Sequence, residues 1–537
     1  MKMYILRTIA LWGRGLMLAP LSVSLVALFT QSAYAQVRFA RTYGGTFDDM
    51  AYFVRLTSDG GYIVAGIRWS SSTVSFDAFL IKTSSLGNLQ WVRTYGGTSW
   101  DEARSVQQTS DGGYIVAGWT ESFGLGLRDV LLIKTDANGN VQWAKIYGGI
   151  YDDRAYSVQQ TSDGGYIVAG ATESFGAGSY DVFLIKTDAN GNVQWAKTYG
   201  GTGTERAFSV QQTSDGGYIV AGQTASFGAG YNDVFLIKTD ANGNVQWAKT
   251  YGGTNDDWAS SVQQTSDGGY ILAGWTTSFG AGWRDIFLIK TDANGNVQWA
   301  KTYGGTGWDE AGSVRQTPDG GYIVASVTYS FGSGSGDVFL IKTDASGNLQ
   351  WAKTYGGIYD DRGYSVQRTS DGGYIVVGIV GSFGAGDWDV FLIKTDANGN
   401  IGSCGIVRNV TPTVGIPSVT VNTPSPSVSS LSLTPGSPSL TVGSPTLTIT
   451  APCPLSDDNE LGISESSQCV SGLITPYKGG IKVSGSGEFE VKVYNVSGVM
   501  VKSAKGKDEV KLELSRGVYF VEVVSGGKVL REKVVIR

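Results

Sequence analysis

Residues 199–249 read Tyr199-Gly-Gly-Thr-Gly-Thr-Glu-Arg-Ala-Phe-Ser-Val-Gln-Gln-Thr-Ser-Asp-Gly-Gly-Tyr-Ile-Val-Ala-Gly222, then a Ser226-Phe227-Gly228-Ala229-Gly230 loop, then Asp233-Val-Phe-Leu-Ile-Lys-Thr-Asp-Ala-Asn-Gly-Asn-Val-Gln-Trp-Ala-Lys249. Four β-rich runs stand out, at 207–213, 218–221, 234–239 and 245–249. Clusters of Gly, Asp, Asn and Ser separate them, and nothing between turns is long enough for a helix. Val-Phe-Leu-Ile at 234–237 is a continuous apolar run, as in a strand buried on both faces.

This stretch is one of seven. Tyr-Gly-Gly begins at Tyr43, Tyr95, Tyr147, Tyr199, Tyr251, Tyr303 and Tyr355, always 52 residues apart. Asp-Gly-Gly-Tyr keeps the same step from Asp59 to Asp371. A fixed period without insertion means seven copies of one supersecondary unit. Four short antiparallel strands per copy predict an all-β, seven-bladed β-propeller with four-stranded blades, in which neighbours cover the two apolar faces of each sheet.

The ends separate a closed ring from an open solenoid. The array starts with Gln36-Val-Arg-Phe-Ala-Arg-Thr-Tyr43, which matches the last strand of a unit, as in Val193-Gln-Trp-Ala-Lys-Thr-Tyr199. After Asp396-Ala-Asn-Gly-Asn400 the seventh unit lacks that strand. The N-terminal strand is therefore expected to close the last blade.

The repeats resemble the seven-bladed propeller repeats of the SBBP type. The likeness is carried by Asp-Val-Phe-Leu-Ile-Lys, Gly-Asn-Val-Gln-Trp, Tyr-Gly-Gly and Asp-Gly-Gly-Tyr-Ile-Val-Ala-Gly over residues 36–402. It speaks for fold and says little about activity, because one fold hosts many functions.

Residues 403–470 change character. Pro417, Pro424, Pro438, Pro445 and Pro452 keep a seven-residue step that is missed once, at Leu431. Ser, Thr and Val lie between them, which reads as an extended linker or stalk; short strands docked on the ring are the alternative. Residues 471–537 alternate strongly and predict a small Ig-like β-sandwich. This module resembles the C-terminal sorting domain of type IX secretion cargo, through Val493-Tyr-Asn-Val-Ser-Gly498, Ser515-Arg-Gly-Val-Tyr-Phe-Val521 and Lys533-Val-Val-Ile-Arg537. The resemblance implies that the type IX machinery is a partner and that the chain is secreted and attached to the outer cell surface.

The start fits that route. Lys2, Arg7 and Arg14 precede an apolar stretch at 16–29, and Ala33-Tyr34-Ala35 is a small-x-small cleavage site, so residues 1–35 read as a signal peptide. The apolar stretch is short for a membrane span, and no transmembrane segment is expected in the mature chain. Removing the three basic residues takes the formal charge from −6 to about −9, which argues against nucleic acid as a partner. The three cysteines lie outside the repeats, and Cys404–Cys453 is the favoured disulfide. There is no histidine, which excludes Ser-His-Asp and Cys-His catalysis and His-ligated metals. No cofactor and no metal are expected.

Because consecutive strands are antiparallel, alternate loops share a face. The Thr-Ser-Asp-Gly-Gly and Asp-Ala-Asn-Gly-Asn turns lie on one side and are nearly the same in every copy. The Tyr-Gly-Gly and Ser-Phe-Gly loops lie on the other and differ. Eight tryptophans fall on this variable side: Trp69, Trp100, Trp119, Trp258, Trp275, Trp283, Trp308 and Trp388. Aromatic groups on a loop-built rim suit ligand binding, with a glycan or surface polymer as the expected partner, although drift where packing is loose would look similar.

An acidic residue follows each Tyr by six places: Asp49, Asp101, Asp153, Glu205, Asp257, Asp309 and Asp361. Such a ring could bind a cation or supply acid and base, which keeps a polysaccharide hydrolase or lyase as the alternative to a non-catalytic binding, adhesion or structural module. Sevenfold sameness favours a structural role, with the carboxylate accepting loop N–H bonds or pairing with the Lys of Val-Phe-Leu-Ile-Lys. The Asp opening each third strand, Asp77 through Asp389, reads as a turn cap. Asp-Ala-Asn-Gly-Asn resembles part of a calcium loop but reads better as an Asn-Gly hairpin turn. Thr57-Ser58-Asp59-Gly60-Gly61 partly resembles the Asp-box of sialidases, without its Trp and without an Arg cluster.

Overall fold

The computed structural model describes residues 37–402, 405–415, 420–422, 427–430, 441–443, 448–453, 474–477, 480–495, 500–515, 517–525 and 528–536. The expected leader and Cys404 lie outside them. Two compact units divide the chain, Met1–Asp458 and Asn459–Arg537.

The first unit is the seven-bladed propeller. In the fourth blade, strand a is Glu205–Gln212, b is Tyr218–Thr224, c is Asp233–Thr239 and d is Val245–Gly252, each antiparallel to the next. Strands b and c are buried along their whole length. Both faces of each sheet meet a neighbouring blade: Ile167, Leu184 and Tyr199 of the third pack on Val210, Val220 and Phe235 of the fourth. Burying Val-Phe-Leu-Ile contributes roughly 2 kcal/mol per side chain as an upper bound, which is why the run is apolar on both sides.

Ring closure follows the expected exchange of ends. Blade seven takes strands a to c from Asp361–Arg368, Tyr374–Val380 and Asp389–Thr395, and its fourth strand is Phe39–Gly44. The register runs from Phe39 opposite Lys394 to Tyr43 opposite Val390. Phe39, Ala40 and Tyr43 have no exposed surface.

Blades are stapled to one another by repeated polar bonds. The hydroxyl of each Tyr-Gly-Gly tyrosine donates to a carbonyl in the c–d turn of the next blade, as Tyr199 does to Gly243 O at 2.7 Å and Tyr43 to Gly87 O at 2.5 Å. Near the axis, strand-a serines accept from the next blade, as Ser157 Oγ does from Val210 N at 3.2 Å.

The Ser/Thr/Pro-rich segment departs from the stalk expectation and follows the docked-strand alternative in its described parts. Val407–Asn409, Thr413–Gly415, Thr420–Asn422, Ser427–Ser430, Thr441–Gly443 and Thr448–Cys453 each add a fifth strand to the outer edge of a blade. They run backwards round the ring, placing Val407, Val414, Val421, Val428, Val442 and Ile449 opposite Tyr355, Tyr303, Tyr251, Tyr199, Tyr95 and Tyr43. A seven-residue step along the segment thus matches one blade, since seven extended residues reach about 23–25 Å. The physical reason for docking is the free ladder of N–H and C=O groups on each outer strand. Blade two has four strands among the described residues.

The second unit is a five-stranded antiparallel sheet. Gly480–Asn495 is its long central strand, pairing with Ile474–Tyr477, Met500–Glu513 and Gly517–Ser525, and Lys528–Ile536 adds to the last of these. Its buried side chains include Ile481, Val491, Val493, Leu512, Val521 and Val523. Among the described residues no helix is long and apolar enough to cross a membrane.

Candidate ligand channel and rim

Strand a of every blade lines the axis, and together the seven enclose a cavity of about 680 Å³. Strand a carries polar or variable residues at alternating positions, because the innermost strand turns one face to an open channel. Its positions follow a fixed order after the buried carboxylate. The first holds Met50, Glu102, Arg154, Arg206, Trp258, Glu310 and Arg362. The third, at a β-bulge, holds Tyr52, Arg104, Tyr156, Phe208, Ser260, Gly312 and Tyr364. The sixth holds Gln in five blades and Arg55 and Arg315 in the other two. The first and third of these positions differ widely among the copies, and eleven of their fourteen residues line the cavity or stack on residues that do.

Aromatic contacts tie rim and channel together. Phe208 stacks on Trp258 at 5.6 Å and 14°, and Trp258 on Trp275 at 4.9 Å. Arg284 lies over both Trp275 and Trp308, at 4.1 and 5.0 Å. A second row runs Trp69–Phe76–Trp100–Trp119 at 5.0, 5.2 and 5.3 Å, with Arg128 over Trp119. Trp388 has Arg362 over its ring. Of the eight tryptophans expected on the variable side, Trp119 and Trp275 are buried, whereas Trp283 is 74% exposed and Trp308 47%. Exposed indole faces flanked by guanidinium groups can stack sugar rings and hold anionic substituents.

The seven repeated carboxylates are closed to a substrate. Asp49, Asp101, Asp153, Glu205, Asp257, Asp309 and Asp361 are at most 2% exposed. Each accepts the N–H of the second Gly of Tyr-Gly-Gly, as Asp153 does from Gly149 at 2.8 Å and Glu205 from Gly201 at 2.7 Å. They do not pair with the strand-c lysines. Those lysines bind the aspartates of Asp-Gly-Gly-Tyr on the opposite face, with Lys238 to Asp215 at 2.9 Å. In blades two to seven the Asp opening strand c accepts loop N–H groups, as expected of a cap: Asp181 takes those of Ala177 and Gly178, both at 3.0 Å. The two carboxylates of each blade joint flank the first Gly of Tyr-Gly-Gly. A Cβ on Gly148 would stand 1.9 Å from Asp129 Oδ1 and 2.9 Å from Asp153 Oδ2.

That crowding shows in their acidity. Burial, and then the neighbouring carboxylate, raise Asp77 to about 6, and burial raises Asp49 to about 7. On the turn face partial burial acts upward, but hydrogen bonds from Lys82 and Thr57 outweigh it and hold Asp59 at about 2. Asp136 of the Asp-Ala-Asn-Gly-Asn turn is occupied by its own loop, accepting from Asn138 N and Asn140 N at 2.8 Å, which makes the turn a hairpin.

Comparison with known proteins bears on the second unit. Residues 475–537 match the family model of the secretion system C-terminal sorting domain. The chain carries that sorting tail. It marks the protein as secreted cargo handled by the type IX system. Other likenesses are more distant. Regulatory protein FlaEY of Caulobacter vibrioides is 28% identical over 197 residues, 34% of this chain and 19% of that protein, so the chain spans about a fifth of this relative's length. A mutant puromycin hydrolase crystallised with PGG is similar with a TM-score of 0.40 at 13% identity, over 68% of this chain and 55% of that one. A eukaryotic initiation factor is similar with a TM-score of 0.30 at 8% identity, over 68% and 99%. These structural likenesses are too low to bear on function.

Proposed function

We propose that this is a cell-surface propeller that binds a glycan or surface polymer, without chemical turnover, through its channel and variable rim. The observation that carries the reading is where the copies differ. Strand c and the turn face repeat almost unchanged, while differences gather at two channel positions of strand a, at the strand-b position that holds Trp119 and Trp275, and at the loops beside them. Random drift would spread over all exposed positions, including the Asp-Ala-Asn-Gly-Asn turns. Nine of the fourteen side chains at the two strand-a positions are aromatics or arginines, types that dominate recognition surfaces. Trp69, Trp100, Trp258, Trp283, Trp308 and Trp388 are the proposed stacking surfaces, with Trp119 and Trp275 buttressing them from beneath. Burial of the seven carboxylates speaks against the hydrolase or lyase alternative. Attachment to the outer surface follows from the sorting tail on this reading.

The test is a glycan array probed with the labelled secreted chain, beside a reducing-end assay on the same polysaccharides. Binding without release of new ends is the expected result. W258A and W308A should each weaken it about fivefold or more, taking the roughly 1–3 kcal/mol of a base stacked on an aromatic ring as the scale. Turnover abolished by D257N would overturn the reading.

A further inference from the structure

The sixth position of strand a is Gln in five blades, and in four of them its amide oxygen accepts a backbone N–H from the next blade. Gln107 takes that of Gln160 at 2.8 Å, Gln159 that of Gln212 at 2.6 Å, and Gln211 and Gln263 do the same at 2.7 Å. This polar ring is broken in one sector. Arg55 and Arg315 replace Gln in blades one and six, so they stand on either side of Gln367 in blade seven. Arg55 Nη1 lies 3.5 Å from Gln367 Oε1 and Arg315 Nε 3.4 Å from it, both long for a hydrogen bond. Among the described residues neither arginine has a carboxylate within ion-pair distance, Arg55 Nε donates to nothing, and the amide nitrogen of Gln367, itself 8% exposed, donates to nothing.

Other channel arginines are treated differently. Arg104 pairs with Glu102, Arg154 and Arg362 pair with Asp152 and Asp360, and Arg206 lies over the ring of Tyr180. Arg55 and Arg315 are also an anomaly of charge, since the chain as a whole is acidic. Two uncompensated cations in one partly desolvated sector repel each other. Burial lowers Arg55 to about 10, and burial with the repulsion of Arg55 lowers Arg315 to about 9, so both stay charged at neutral pH. The unused donors in this sector ask for oxygen acceptors with negative charge. Tyr52 and Tyr364, on the strands of Arg55 and Gln367, face each other at 5.8 Å and supply an aromatic wall in the same sector.

We propose that this sector is an anion subsite, and that the saccharide taken by the channel is acidic, its carboxylate or sulfate held by Arg55 and Arg315. The proposal rests on the glycan-binding reading above. The sugar ring lies against the tyrosine wall, and the guanidinium forks meet the acid group. A uronate and a sulfate ester share this chemistry, and the test separates them.

The experiment is calorimetric titration of the secreted chain with tetragalacturonate, a sulfated tetrasaccharide and neutral cellotetraose. At least one acidic ligand should bind tenfold or more tightly than the neutral one, and its advantage should fall as salt is raised. The double variant R55Q and R315Q restores the residue found in the other five blades and gives Gln108 N and Arg368 N the acceptor found elsewhere in the ring. It should melt no lower than the parent and bind acidic and neutral ligands alike. Should the double variant fail to fold, R315Q alone must still cut the acidic advantage. Equal binding of acidic and neutral ligands by the parent, or an acidic advantage that survives both substitutions, overturns the anion subsite and leaves glycan binding standing. Binding of none of the three, with an empty glycan array, overturns both.

Discussion

On the turn face, Lys238 binds Asp215 and the carbonyl of Thr239, and six other lysines do the same with their own aspartates. In the channel, the strand-a position of Tyr52 holds an arginine, a phenylalanine, a serine, a glycine and two further tyrosines in the other blades. The same seven sheets thus carry one face where every copy solves one packing problem and one where the copies solve different problems. Where the lysine is buried, any change leaves an unpaired charge or carbonyl, so the position is fixed by folding. Where the side chain meets open channel, folding tolerates almost anything, and residue choice is left to whatever enters.

The comparison can be broken in several ways. The largest effect is expected at the seam. Deleting 37–43 removes Phe39, Ala40 and Tyr43 from the core and a full ladder from blade seven, at a cost of about 5 kcal/mol or more. Thermal denaturation should show a collapse of the transition, and an unchanged melt would mean that blade seven stands without its fourth strand. Next comes Gly148→Ala, which drives a methyl into two carboxylates and should cost about 3 kcal/mol. Denaturant titration would show it, and a cost below about 1 kcal/mol would refute the crowded joint.

The buried joints also make a pH signature. Asp49 at about 7 and Asp77, Asp233 and Asp337 at about 6 bind protons more tightly folded than unfolded. Their contribution is complete below the unfolded value of about 4 and lost as pH rises through 6 to 7. The turn-face aspartates, held at about 2, act in the opposite sense, and their share is lost as pH falls from about 4 towards 2. Half-exposed as they are, they contribute little each. The melting temperature should therefore be higher at pH 5 than at pH 8 and fall below pH 4. A melt that rises steadily to pH 8 would contradict the raised joint carboxylates.

Smaller effects sharpen the contrast. Tyr199→Phe deletes one blade staple and should cost about 1 kcal/mol in chemical denaturation. Trp283→Ala, on the rim, should move stability by less than about 0.5 kcal/mol while weakening binding. A stability loss beyond about 1 kcal/mol there would make the rim aromatics structural and remove the distinction between the faces.

Much of this was legible from the chain. The 52-residue step gave the blade count, and the misplaced Phe39-Ala-Arg-Thr-Tyr43 strand gave the closure. Alternation of loops gave the two faces, because antiparallel order fixes it locally. The candidate site was read only in part. Applying the copy-to-copy comparison to loops found Trp258 and Trp308 but passed over Arg104, Phe208 and Tyr364 inside strand a. Their variability was visible in the sequence, yet its meaning depended on knowing that strand a is innermost. The lysine partner was also undecided, although a lysine beside the Asp-Ala-Asn-Gly-Asn turn stands about 17 Å of strand from the opposite end and so meets the turn-face aspartate.

The sequence by itself determined what repeats and what lies within one unit: four strands, their apolar middle pair, the Asn-Gly and Gly-Gly turns, and a sorting tail. These follow from spacing and from the backbone needs of a few residues. Only the tertiary structure decided which strand faces the axis, that the Pro-rich segment returns to bind the outer edges, and that Arg55 and Arg315 meet across Gln367 although 260 residues apart in the chain. The reason is that a closed ring makes neighbours of its first and sixth blades' flanks through the seventh, and no local pattern records that adjacency.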